Sequence, residues 1–256
     1  MSGDRSPRLK RVVASAAAAL SLAVPLAGAA GAQSVIDPAN PCPPGVPAPA
    51  APFTDRNTAG QVHLINIDCA AAWRIVLGGA GGVPGRYAPT APVRRDQMAS
   101  FIFRALELPA ADGDSRGYDL PSSGSQFPDV PANNPHAAAI RSLRAAGIVL
   151  GKGDGAYGPG DMIRRDQMAS FLVRAAEFAY GDSPGGLAAN ASAPFTDVAA
   201  NNTHKPRIDA AYELFGLVQG TNPTRYGPAD STRRDQMATF VVRLIDITQL
   251  DPFVQG

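Results

Sequence analysis

The sequence predicts an all-α protein built on a threefold helix-turn-helix repeat, and three observations carry that prediction. A twelve-residue block opening Arg-Arg-Asp-Gln-Met-Ala recurs at 94–105, 164–175 and 233–244, with eight of twelve positions identical in all copies. Inside each copy the apolar residues fall at i, i+3, i+4 and i+7: Met98, Phe101, Ile102 and Ala105, then Met168, Phe171, Leu172 and Ala175, then Met237, Phe240, Val241 and Leu244. That spacing gathers them into one helical stripe, which is read as packing core and not as a ligand groove. Gly and Pro together supply 50 of 256 residues, so the chain is punctuated too often for long regular sheets or a coiled coil.

The repeat extends beyond this block. Met98, Met168 and Met237 are separated by 70 and 69 residues, and each copy has a second block upstream, beginning Phe53-Thr54-Asp55, Phe127-Pro128-Asp129-Val130 and Phe195-Thr196-Asp197-Val198. A His follows each Phe (His63, His136, His204), with an Ile four residues later (Ile67, Ile140, Ile208). A Gly-rich loop then carries Tyr87, Tyr157 or Tyr226 shortly before a Pro. One repeat thus reads as loop, first helix, Gly-rich turn, second helix. Helices of about twelve residues are marginal alone, so the copies must lean on one another.

Residues 1–32 read as an address. Arg5, Arg8, Lys10 and Arg11 precede an apolar run from Val12 to Leu26, and Ala30-Gly31-Ala32 closes it, the pattern of a cleaved secretory signal peptide. No other stretch approaches the length of a membrane span. Removing residues 1–32 leaves 19 basic against 21 acidic groups, a net charge of −2, which gives no electrostatic footprint for nucleic acid. Residues 33–52 are a Pro-rich linker, and 109–126 and 181–194 have the composition of turns and tethers. The repeats proper are expected at 53–108, 127–180 and 195–250. Export would let Cys42 and Cys69 form a disulfide stapling the linker to the first repeat; a small buried Cys69 beside a loop thiol at Cys42 is the alternative.

Asp96, Asp166 and Asp235 sit in the first turn of each second helix, where the dipole favours an anion, and Gln97, Gln167 and Gln236 are placed to reach back to an exposed amide. The double Arg before them has no such local reason, since cations oppose the dipole there. Arg94-Arg95, Arg164-Arg165 and Arg233-Arg234 must therefore face another partner: either a ligand, or Asp55, Asp129 and Asp197 of a neighbouring repeat. The His recur in register with the fold unit, which argues for a structural role over catalysis. They lie about 70 residues apart and lack the paired spacing of a zinc site, while the single Asp154 in the second turn is too few acids for calcium. No cofactor, metal or catalytic residue is expected.

These blocks resemble the S-layer homology module, present three times across 53–250: Phe-x-Asp-Val, a helix closing on Gly147-Ile148-Val149-Leu150-Gly151, a Gly-Asp-Gly-x-Tyr-x-Pro turn, and an Arg-initiated second helix. The variant is similar to that of secreted proteins of high-GC Gram-positive bacteria. The resemblance implies a pseudo-threefold spindle around a small helical bundle, with grooves between repeats that bind cell-wall glycans, often anionic secondary polymers. It implies Arg95, Arg165 and Arg234 as ligand contacts, with Arg94, Arg164 and Arg233 beside them and Tyr157 and Tyr226 shaping the pocket. The motif's usual Thr and Glu are replaced by Arg and Gln in every copy, and Leu64, Ala137 and Lys205 stand where an aromatic often follows the His. The expected protein is secreted, bound at the cell wall or cell surface, and not an enzyme. Its expected partner is an anionic polysaccharide, with other envelope proteins as further partners. The alternative is a protein-interaction or self-assembly module without glycan binding.

Overall fold

The computed structural model describes residues 53–108, 118–181 and 190–250. The signal peptide, the Pro-rich linker and Cys42 lie outside the described residues, as do the central parts of the other two linkers. The described residues form six α-helices, named here α1 (Gln61–Ala72), α2 (Arg95–Leu106), α3 (Ala137–Ala145), α4 (Arg165–Tyr180), α5 (Lys205–Glu213) and α6 (Arg234–Ile245). Short 3-10 turns lie at Arg56–Thr58 and Ala80–Gly82, and a π-helical turn at Asp246–Leu250 continues α6. No strand is present among the described residues, only isolated bridges.

The second helices α2, α4 and α6 all touch one another. Their periodic stripes are buried together, and Met98, Met168 and Met237 are wholly enclosed. The first helices pack outside this trio with an offset: α3 lies on α2, α5 on α4, and α1 on α6. Each second helix is thus covered mainly by the first helix of the next sequence repeat, and the last is covered by the first.

The backbone preceding the second helices closes the same cycle. Val93 N–H donates to Thr232 C=O, Thr232 N–H to Ile163 C=O, and Ile163 N–H to Val93 C=O, each at 2.9 Å. All three side chains are fully buried there. Thr232 takes the place of an aliphatic residue, and its Oγ1 is shielded with no hydrogen-bond partner. An unsatisfied buried hydroxyl costs about 1–3 kcal/mol. Thr232→Val, which keeps the shape, is therefore expected to stabilise the protein by about 1 kcal/mol, read as a higher urea midpoint at unchanged m-value.

The segment after α2 departs from a free tether. Tyr118 N–H bonds Leu106 C=O at 2.8 Å, and its hydroxyl donates to Thr248 C=O. Tyr180 Oη bonds Ile247 C=O at 2.9 Å, so two tyrosines fix the end of the described chain to the body. Cys69 is buried on α1 and disulfide-bonded.

Candidate functional site

At each second-helix N-terminus the two arginines part company. Arg94, Arg164 and Arg233 occupy the N-cap position in extended conformation, and their backbone N–H groups donate to Gln97, Gln167 and Gln236 Oε1 at 3.2, 3.3 and 3.1 Å. This is the reach-back expected from the sequence. Each guanidinium folds over the first turn onto the Asp two residues on. Nε and Nη2 of Arg233, for example, meet Asp235 at 3.0 and 2.8 Å. The carboxylates are buried and also accept from the next backbone amide at 2.7–2.8 Å, where the helix dipole supports them. The arginines stay open: their side chains are 42%, 48% and 42% exposed, and Nη1 of each has no partner among the described residues.

Arg95, Arg165 and Arg234 point the other way, at 4%, 4% and 6% exposure. Nε of each donates to the carbonyl of the aromatic in the next Gly-rich turn: Arg95 to Tyr157 at 2.8 Å, Arg165 to Tyr226 at 2.9 Å, Arg234 to Tyr87 at 2.5 Å. The tyrosine hydroxyl donates back to the carbonyl of the same arginine at 2.6, 2.8 and 2.7 Å. Each guanidinium also lies 4.6–4.9 Å from the centroid of that ring. Burial raises the pKa of all three tyrosines, which keeps their hydroxyls protonated and able to donate, while it lowers that of Arg95 and Arg234.

The partner that the arginines were expected to need is thus a neighbouring repeat, but not its upstream Asp. Asp55, Asp129 and Asp197 instead hold their own Gly-rich turns, each accepting the amides of the Tyr and the following residue at 2.7–2.8 Å. Burial opposes their ionisation, but those amides outweigh it and the carboxyls titrate below the ordinary range. Tyr157 and Tyr226, expected to shape a pocket, are fully buried, the first stacked on Phe127 and the second packed at a tilt against Phe195, so neither ring presents a face to a sugar in this state.

A second set of contacts lines the seams between repeats. His136 Nδ1 meets Ser100 Oγ at 2.7 Å, His204 Nδ1 meets Ser170 Oγ at 2.8 Å, and His63 Nδ1 meets Thr239 Oγ1 at 2.7 Å. Asn134 and Asn202 accept the N–H of these first two His at 2.8 Å and reach Asp96 and Asp166 at 3.4 Å. Sequence reasoning missed the two asparagines, although the shared Ala-Asn-Asn-x-His at 132–136 and 200–204 marks them.

Burial lowers all three His pKa values, neighbouring arginines add to it, and Asp96, Asp166 and Asp235 oppose it. The folded state then binds fewer protons than the unfolded chain just below the ordinary His value of about 6.5, so stability falls as pH drops through that window. We expect a melting temperature that is flat near neutrality and declines from about pH 6.5 downward, well above the range in which the lowered Asp carboxyls protonate. A melting temperature unchanged between pH 7.5 and 5 would contradict the His contribution.

Among the described residues no cluster of His, Cys, Asp and Glu is suited to a metal ion. No helix there is long and apolar enough to cross a membrane.

Comparison with known proteins adds a likeness in sequence. Residues 126–169 match the family model of the S-layer homology domain. Over 125 residues, 49% of this chain, the sequence is 31% identical to a cell surface protein of Thermoanaerobacter kivui, covering 16% of that protein. Over 121 residues, 47% of the chain, it is 30% identical to S-layer protein EA1 of Bacillus anthracis, covering 13% of it. An endoglucanase of Bacillus sp. strain KSM-635 is 27% identical over 165 residues, 62% of this chain and 15% of that enzyme. The aligned region therefore spans less than one fifth of each relative.

Proposed function

We propose that this S-layer homology domain protein, which carries a cell-surface anchoring module, is an exported, non-catalytic protein that holds to the cell wall through an anionic wall polysaccharide. In this reading three units, 53–108, 127–180 and 195–250, close into a spindle and present three equivalent seams. The observation that carries the reading is the outer arginine row. Arg94, Arg164 and Arg233 are half-exposed, fixed in direction by their carboxylates, and each keeps one guanidinium nitrogen for a ligand. A fork oriented in advance loses little freedom when it meets a carboxylate or phosphate. Arg95, Arg165 and Arg234 act through it, by fixing the turn of the next repeat against the helix that bears the outer arginine. Three weak contacts on one molecule multiply on a repetitive polymer.

Co-sedimentation with purified walls tests this. The chain is expected to sediment with intact walls and to stay in solution once acid extraction has removed their secondary polymers. Failure to bind either preparation, together with concentration-dependent oligomers in light scattering, would support self-assembly without glycan contact instead.

A further inference from the structure

The three seams share the contact between a His and a Ser or Thr hydroxyl but differ in one pair of cations. Arg104, Arg174 and Arg243 occupy the same repeat position, near the end of α2 and α6 and in the body of the longer α4. Arg104 donates through Nη1 to Ile75 C=O at 2.9 Å and Arg243 through Nη1 to Leu217 C=O at 3.3 Å, so each is tied to the chain by one nitrogen. Arg174 makes no such bond, and its Nε is shielded from solvent without a partner. Facing it on α5 is Arg207, whose Nε is likewise shielded and unpartnered. Arg207 stands where the other first helices have Asn66 and Ala139.

The two residues share one place in the α4/α5 seam. Ser170 and His204 touch across it, Arg174 lies four residues beyond Ser170, and Arg207 three beyond His204, each one turn further along the same face. Burial, and after it the charge of Arg207, bring the pKa of Arg174 down to about 10. Glu177 and Arg95 act on Arg174, while Asp166 and Arg164, together with the two arginines, act on His204 beside them. Asp166 is bonded to Arg164, and Asp209 is bonded to Lys205, so neither neutralises the pair. Glu177 offsets one charge of the two.

We propose that Arg174 and Arg207 form an oxoanion site confined to the α4/α5 seam, which takes a single phosphate or carboxylate group. Two guanidiniums with unspent donors match the planar or tetrahedral oxygens of such a group. The other two seams lack it because Ala139 and Asn66 add no charge and their arginines are already bonded. The inference deepens the wall-polymer reading by naming one seam, yet its own chemistry would serve a free anion equally.

The three His, one per seam, supply the readout. With inorganic phosphate titrated into the purified chain at constant ionic strength, the imidazole NMR signals of His204 are expected to shift and saturate while those of His63 and His136 stay put. Arg207→Ala should weaken the apparent affinity at least tenfold, and Arg207→Lys should restore part of it. Equal movement of all three His, or none, would overturn the site. Wall sedimentation of Arg207→Ala separates the sources: a reduced bound fraction assigns the site to the polymer. Undiminished wall binding with phosphate affinity lost supports the site as one for a soluble anion and leaves the outer arginines as the wall contact.

Discussion

Arg165→Ala is expected to destabilise the protein by about 4 kcal/mol, the largest effect of any substitution considered. The guanidinium donates to Tyr226 C=O and to Gln219 C=O, both at 2.9 Å, and stacks over the Tyr226 ring. Truncation strands the buried Tyr226 carbonyl, worth about 1–3 kcal/mol, loses the part-buried bond to Gln219, and leaves the volume of the side chain unfilled. In a domain of this size that corresponds to a fall in melting temperature of about 10 °C. Its neighbour gives the contrast: Arg164 is half-exposed and Asp166 keeps its amide donor, so Arg164→Ala should cost about 1 kcal/mol or less. Thermal and urea unfolding of the two variants side by side checks the assignment of one arginine to the interior and the other to the surface. Equal losses would contradict it.

Gly151→Ala is expected to cost about 3 kcal/mol. The residue sits at φ +76°, where a side chain is strained by roughly 1–2 kcal/mol. A Cβ would lie 2.5 Å from Phe127 Cε1 and 2.9 Å from Ala156 O, so both the upstream ring and the turn must shift, at about a further 1–3 kcal/mol. Two controls in the same turn separate the causes. Gly155 has φ +83° with open space around it and should show the strain alone, about 1 kcal/mol. Gly153 has neither strain nor neighbours, and Ala there should lie within about 0.5 kcal/mol of wild type. Urea midpoints ranked 151, 155, 153 from most to least destabilised are the expected result.

The stripe, the caps and the turns were legible in the sequence because each is a local matter. Met98, Phe101, Ile102 and Ala105 announce a buried face by spacing alone, and Gln97 announces a reach-back by its distance from the N-cap. The partner of the inner arginines was legible only halfway. Cations at a helix N-terminus require a counterpart, but Arg95 finds it in the carbonyl and ring of Tyr157, and a backbone carbonyl leaves no mark in a sequence. The offset packing was hidden for a different reason. Near-identical repeats satisfy the same periodicity whether α1 covers α2 or α6, so only the three-dimensional closure decides. The arginine pair of the α4/α5 seam was hidden by the repeat itself, which draws attention to shared positions while Arg207 matters by departing from them.

The reading of the outer arginines as wall contacts is tested most directly by the triple variant Arg94→Gln, Arg164→Gln and Arg233→Gln in co-sedimentation with purified walls. Gln removes the charge while its amide can still donate to Asp96, Asp166 and Asp235, so cooperative unfolding followed in parallel should persist at a lower midpoint. The wall-bound fraction is expected to fall at least tenfold while the fold survives. A folded triple variant that sediments with walls as fully as the wild type would contradict the proposal.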